Sequence, residues 1–393
     1  MDLLYLGSYG FRQKDGKTYA LPGSSDSFFQ KFLKVFDKII VVGSPLPNSL
    51  EDTNLVEMTD TRIRVIILPS NSKPQQFLND FKVKPILKKL IDGASAILIK
   101  PTTRRGIMAT KIATSKNKPF MIDVTGDIHL SLITTNDWKR KLYAPIIFNQ
   151  IRRAIKDCRF GLYVTQEYLQ SQYPIAGEMC GCSDVELNPV EAEVLDERLK
   201  KIEEMKSDGI INISMVGFYH NTRKGIDTAI KALALLPDNY HLNVLGNGTE
   251  ENRRKWLEFG EALGIFGRIH FPKPLPSTKA VIDWLKTQDI NILPSRSEGL
   301  VRCVMEAMSV GMPCIGSDSC SMPELHLPEC MHPVEDYKKL SELILRYGID
   351  KELMKAHAKR NFEKAKEYAP DILDKRRTAF LERFKSYCES FQR

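Results

Sequence analysis

The stretch Pro294-Ser-Arg-Ser-Glu298-Gly-Leu-Val-Arg302-Cys-Val-Met-Glu306-Ala-Met-Ser-Val-Gly311-Met-Pro313 decides how this chain folds. An apolar run, Asp289 to Leu293, precedes it and predicts a strand; a segment near 302–310 predicts a helix. Gly311 stops that helix and Pro313 follows it. Strand, loop and helix in this order form the half-unit of a parallel α/β sheet. Glu298 lies just ahead of the helix and Glu306 stands two turns in, about 12 Å along the axis. Between them the backbone N–H groups of Gly299, Leu300, Val301 and Arg302 have no partner within the helix, which makes an anion site.

The same pattern recurs outward from this stretch. In the second half, strands are expected at 211–216, 241–245, 268–271, 289–293 and 313–316, with helices near 225–236, 249–264, 277–287 and 302–310. In the first half, strands are expected at 2–6, 38–42, 64–68, 96–99, 119–124 and 160–165, with helical patterns at Ser25–Phe36 and Phe77–Ile91. Continuous apolar runs of this kind suit strands buried on both faces of a parallel sheet. The acidic segment Glu191 to Lys206 follows Asn188-Pro189 and opens the second half, and a last helix is expected over 369–391. The fold class is α/β, with two doubly wound, Rossmann-like domains.

A nucleoside diphosphate sugar matches the layout of the opening stretch. Glu298 can accept from sugar hydroxyls, the helix start can hold two phosphates, and Glu306 can accept from the ribose. The run resembles the Glu-x7-Glu signature of glycosyltransferase family 4, the retaining enzymes of GT-B fold, with Val301 where proline is usual. Cys314-Ile-Gly-Ser-Asp and Met322-Pro-Glu-Leu resemble that family's next strand and turn. A second segment, Ile213-Ser-Met-Val-Gly217-Phe-Tyr-His-Asn-Thr-Arg223-Lys224-Gly225-Ile-Asp227, resembles the family's phosphate loop. That loop carries an arginine after its first glycine and a lysine before its second; Lys224 matches the lysine, while Phe218 stands in the arginine's place. Arg302 or Arg223 is the candidate to supply the missing charge.

The resemblance implies a GT-B architecture: an acceptor domain at 1–190, a donor domain at 191–365, and a C-terminal helix at 366–393 crossing back to the first domain. It implies that Gly10, in a glycine-bearing loop after the first strand, lets backbone approach the donor, and that Gly217 does so in the second domain. Tyr9, Asp127 and His129 are the candidates for contacts to the acceptor or sugar, with Asp127 also a candidate catalytic group or helix cap. The implied activity is retaining transfer of a hexose-type sugar from a nucleotide sugar to a glycan or lipid-linked acceptor, in surface polysaccharide or glycolipid synthesis. A nucleotide-sugar epimerase of the same fold, or a non-catalytic sugar-nucleotide-binding protein, are the alternatives.

Other motifs exclude other chemistry. Gly16-Lys17-Thr18 ends like a P-loop, but Phe11 stands where its first glycine belongs; Gly246-Asn247-Gly248 starts a dinucleotide fingerprint that Glu251 breaks. No Asp-x-Asp occurs, which argues against holding the diphosphate through a divalent metal, so no metal and no cofactor are expected. Cys180-Gly-Cys182 is too tight for a zinc knuckle. Met1–Leu6 reads as a strand rather than a signal peptide, and no apolar run is long enough to span a membrane, so a cytoplasmic protein is expected, peripheral on the membrane at most. The net charge of +8 lies wholly in residues 1–190, with 26 Lys and Arg against 18 Asp and Glu; residues 191–393 hold 31 against 31. Trp138-Lys-Arg-Lys141 through Arg159 interleaves cations with apolar residues and, with Lys82, Lys84, Lys88 and Lys89, suggests an anionic membrane surface as partner. No nucleic-acid-binding module accompanies the charge.

Overall fold

A computed structural model of the chain describes residues 1–69, 76–135, 137–185, 187, 191–206 and 208–391. Asn188 and Pro189, where the linker is expected, lie outside the described residues, as does the side chain of Phe77. The chain divides into two compact units: Met1–Ile133, Asp137–Cys182 and Asp374–Arg393 form the first, while Thr134–Asn136 and Ser183–Leu373 form the second. The division therefore falls at Cys182 rather than at 190, and the last helix, Pro370–Ser390, joins the first unit from Asp374 onward.

The first unit carries strands β1 (Leu3–Lys14), β2 (Lys17–Ala20), β3 (Ile39–Pro45), β4 (Val56–Glu57), β5 (Ile63–Ile67), β6 (Ala96–Ile99), β7 (Phe120–Val124), β8 (Phe160–Tyr163) and β9 (Glu178–Gly181). Its parallel strands run β5-β3-β1-β6-β7-β8-β9, and β2 and β4 extend the far end of β1 as an antiparallel ribbon. Here the structure corrects an expectation. Gly7 to Gly10 are not a loop after the first strand but part of β1, whose pairing with β3 shifts register between Leu6 and Gly10. The chain stays extended because Phe11 is fully buried and Phe11–Lys14 pair with Lys17–Ala20 across a tight turn at Asp15 and Gly16, both at positive φ. A side chain at Gly10 would collide with Leu46.

The second unit carries β10 (Ile211–Val216), β11 (Tyr240–Leu245), β12 (Ile269–His270), β13 (Ile290–Leu293), β14 (Cys314–Ser317) and β15 (Met331–His332). All are parallel, in the order β12-β11-β10-β13-β14-β15. All four residues of β13 are buried, and Ile213, Met215, Val244, Ile292 and Ile344 belong to one apolar core. In both sheets the order reverses beside the first strand, at β1/β6 and at β10/β13. Ligands of open α/β sheets bind outside the carboxyl ends of the strands at such a reversal.

The last helix docks on the first unit through Phe380 and Phe384, whose rings meet Phe160, with Phe384 also against Phe36. Among the described residues no helix is long and apolar enough to cross a membrane.

Candidate functional site

The loops leaving β10 and β13 meet at the reversal of the second sheet. Gly225 begins the helix Ile226–Leu233 in the left-handed region, φ 75°, and a Cβ there would lie 1.8 Å from the carbonyl oxygen of Pro294. Only glycine lets the two loops touch. The contact is fixed by Arg296 N–H, which donates to the Arg223 carbonyl at 2.8 Å, and the Ser295 hydroxyl oxygen lies 2.9 Å from the same carbonyl. The Arg296 guanidinium forks onto both carboxylate oxygens of Asp227 at 2.8 Å and reaches Glu335 at 2.5 Å. Gly225→Ala is accordingly expected to cost at least about 2 kcal/mol of stability, from the left-handed backbone and the carbonyl clash together. Chemical denaturation followed by circular dichroism checks it; an unchanged midpoint would refute the close approach.

This scaffold brings Lys224 and Glu298 together. Lys224 Nζ lies 2.6 Å from Glu298 Oε1, and the Ser295 hydroxyl donates to the same oxygen at 2.6 Å. Both residues are 9% exposed. The Glu298 N–H donates to Cys320 Sγ at 3.3 Å, Cys320 itself holding a positive φ of 58°. Gly217 leaves room for the lysine stem, since a Cβ there would stand 3.1 Å from Lys224 Cε.

The helix Arg302–Ser309 follows. Its N-cap, Val301, offers no side-chain acceptor, and no acid sits in its first turn. The helices starting after Thr103, Asp137, Thr249, Ser277, Asp336 and Asp350 are all capped by those side chains. The start at Val301 shares with those after Ser25, Ala192 and Gly225 the lack of a side-chain cap, which leaves its N–H groups and its positive dipole end open to an anion. The carbonyl of Gly299 accepts from the Ser321 hydroxyl, which orients the turn, and Leu300 is half-buried. Glu306 is buried one turn further along, and burial pushes its carboxyl up to about 7, against a smaller opposing pull from Arg302. The Arg302 head is half exposed, with Nη1 4.0 Å from Glu306 Oε1. Burial likewise raises the thiol of Cys303 to about 11, and Lys224, Glu298 and Glu306 all act on it electrostatically.

Beside Gly217 the strand ends of β10 and β11 border a shallow pocket of about 180 Å³, walled by Phe218, Asn247, Pro274 and Leu275. The Phe218 ring is half exposed. Arg223 has an exposed side chain, and its backbone serves the loop contact described above.

The remaining candidates belong to the first unit. Tyr9 belongs to a buried cluster formed within β1 and at the ends of β6 and β7: its hydroxyl is 2.9 Å from that of Tyr5, which donates to Asp123 at 2.5 Å, and Lys100 stands 4.9 Å above its ring. Burial raises the Tyr9 phenol. Asp127 is committed structurally. Tyr173 and Tyr168 donate to its two oxygens at 2.7 Å each, and Leu130 N–H at the start of the helix Ile128–Ile133 donates at 3.3 Å. Of the two roles expected for Asp127, the bond from Leu130 N–H is that of a helix cap. The His129 ring packs 4.9 Å from Phe148.

Sequence reasoning missed Ser295, Arg296, Cys320 and Ser321. Ser295 and Arg296 stood inside the quoted stretch, but only the fold shows that Asp227, 69 positions earlier, is the partner of Arg296. Among the described residues no group of three or more His, Cys, Asp and Glu could hold a metal, and none of the eight cysteines is in a disulfide.

Comparison with known proteins gives this geometry its family. Residues 197–364 match the family model for glycosyl transferases group 1. Protein CapJ of Staphylococcus aureus is 24% identical over an alignment of 404 residues covering 100% of this chain and 97% of CapJ. The O-antigen biosynthesis glycosyltransferase WclY of Escherichia coli is 31% identical over 137 residues, 35% of this chain and 36% of WclY. Among solved structures, Anabaena HepE in complex with UDP superposes with a TM-score of 0.63 at 13% identity, covering 100% of both chains, which shows a shared fold. The chain is a glycosyltransferase of GT-B fold, and its residues 197–364 belong to the group 1 glycosyltransferases.

Proposed function

We propose that the enzyme transfers a hexose-type sugar from a nucleoside diphosphate sugar to a glycan or lipid-linked acceptor in surface polysaccharide or glycolipid synthesis, with retention at the anomeric carbon and without a divalent metal. The observation that carries the donor reading is the buried Lys224–Glu298 pair, set beside an uncapped helix start at the reversal of the second sheet. HepE, with the same fold, binds UDP, and WclY acts in O-antigen biosynthesis. In this reading the diphosphate lies across Lys224 and the N–H groups at 299–302, Glu298 turns to the sugar hydroxyls, and Glu306 accepts from the ribose. Gly217 gives the donor backbone clearance, and the pocket beside it, in which Phe218 replaces the family's arginine, receives the base.

In the reaction the bond from the anomeric carbon to the phosphate oxygen breaks, and the acceptor oxygen bonds to the same face. The acceptor proton passes to the departing phosphate, so no protein nucleophile is needed. Negative charge grows on the nucleoside diphosphate as the bond breaks, and Lys224 and the helix start stabilise it. Arg302, half exposed at that helix start, adds the second cation that Phe218 cannot provide.

Melting curves with UDP, GDP, ADP and CMP, without metal, test the donor reading. A ligand at a hundred times its dissociation constant adds about 2.7 kcal/mol, a shift of several degrees. One nucleoside diphosphate is expected to stabilise the wild type and to do nothing for Glu306→Ala. Silence with all four nucleotides sinks the reading. With the donor in hand, the anomeric configuration of the product, read by NMR, decides retention.

A further inference from the structure

Two adjoining cavities of about 590 and 700 Å³ lie on the first unit and share Lys111, Ser115 and Gln150 in their walls. Together they form one groove along the helix Arg104–Ser115, which presents Arg104, Ile107, Met108, Lys111 and Ile112 to it at helical spacing. The helix Trp138–Ile155 supplies the opposite wall through Tyr143 and Ile147, and the helix Gln76–Asp92 adds Lys84 and Lys88.

The groove's chemistry is amphiphilic. Its floor is apolar, while the lining of the first cavity carries four cations, Lys84, Lys88, Arg104 and Lys111, and no carboxylate. The second cavity adds Lys118, Arg153 and Arg159 against the single acid Asp157. Arg104 is paired with Asp80 at 2.6 Å; Lys84, Lys88 and Lys111 are exposed and in no ion pair among the described residues.

Beside the groove the surface is strongly apolar. Trp138 is 65%, Leu142 66% and Ile146 51% exposed. At about 100° per residue, Tyr143, Ile146, Leu142 and Trp138 sweep in that order from the groove wall to the outer side of their helix. On the facing helix Phe81, 79% exposed, shares a stripe with Lys84 and Lys88 three and seven positions on. An apolar stripe of this size ringed by uncompensated cations fits a surface that is apolar below and anionic above, which is the boundary of an anionic bilayer.

We propose that this face seats on an anionic lipid bilayer: phospholipid phosphates enter the groove mouth between Lys84, Lys88 and Lys111, and Trp138, Leu142 and Ile146 reach below the headgroups. The inference stands on the groove and not on the donor chemistry, so either can fail alone.

Cosedimentation of the full chain with vesicles of phosphatidylcholine, with and without phosphatidylglycerol, tests it. The wild type is expected to pellet with the anionic vesicles and to stay in the supernatant with the neutral ones. Each lysine near an anionic surface contributes about fivefold in affinity, so Lys84→Glu with Lys88→Glu is expected to lose at least about thirtyfold. Leu142→Ser with Ile146→Ser, both exposed and so tolerated by the fold, is expected to lose about tenfold or more. A control pair on the second unit, Arg254→Glu with Lys279→Glu, makes the same charge change on exposed helices and is expected to lose under threefold. Wild type left in the supernatant with anionic vesicles overturns the proposal. So does an equal loss in the control pair, which would assign binding to net charge alone, or unaltered binding in either groove variant, which would leave this face to another partner.

Discussion

Lys224→Met is expected to lower the rate of sugar transfer by about a hundredfold to a thousandfold, the scale on which single transition-state donors act. The methionine keeps most of the stem volume beside Gly217 and removes only the charge. In the free enzyme that charge is neutralised by Glu298 at 2.6 Å, so it adds little to the field felt by a distant anion. Once a diphosphate arrives, the ammonium can exchange the carboxylate for phosphate oxygens without moving far. Its interaction then strengthens as the leaving group gains charge, which is why the loss is expected in turnover more than in donor affinity. The variant also strands Glu298, and breaking a buried pair by removing one partner typically destabilises by about 3–5 kcal/mol. Lys224→Met combined with Glu298→Gln separates the two effects. The double variant removes both charges of the pair and is expected to recover the melting temperature but none of the activity. A Lys224→Met enzyme within tenfold of wild-type turnover would remove the lysine from the chemistry, whatever its stability.

The residues that were legible in the sequence share a physical trait: their signal is local. Strand β6 is four consecutive buried apolar residues, and β13 is buried throughout with Asn291 its one polar residue; such runs announce a doubly covered parallel strand without knowledge of any partner. Glu298, Lys224 and Glu306 can be singled out as candidates because helix geometry and a family resemblance link them to short stretches. What escaped depends on distant partners. The far half of β1 contains Gly7, Gly10, Arg12 and Lys14, and is a strand only because β2 folds back on it. Strand β9, with Cys180 and Gly181, is set by pairing with β8. Asp127 looks like a free acid at a strand end until Tyr168 and Tyr173, 41 and 46 positions on, are seen to donate to it. Loop-to-loop fastening by Arg296 and Cys320 has no periodicity to betray it.

Glu306 gives the second large effect, one of pH. Burial holds its carboxyl at about 7, above the ordinary carboxylate range. Between roughly pH 4.5 and 7 the folded protein therefore binds more protons at this residue than the unfolded chain, and stability falls as pH rises through that window. The full deficit is present above pH 7 and amounts to about 3 kcal/mol. Glu306→Gln removes it. The melting temperature of the variant should match the wild type near pH 4.5 and exceed it by several degrees at pH 8. Binding runs the other way. Ribose hydroxyls donate to a carboxylate, so a bound nucleotide stabilises the ionised form and repays part of the desolvation. The affinity of the wild type is then expected to improve relative to that of Glu306→Gln between pH 6 and 8, a comparison in which the titration of the nucleotide's own phosphate cancels. Arg302, 4.0 Å away, helps to hold that ionised form. A destabilising carboxylate buried in a helix is hard to account for by folding alone, and its retention is intelligible if a ligand supplies the hydrogen bonds that the protein does not. Parallel melting curves for wild type and variant across this pH range would show that Glu306 is already satisfied in the free enzyme, and the ribose contact would lose its physical basis.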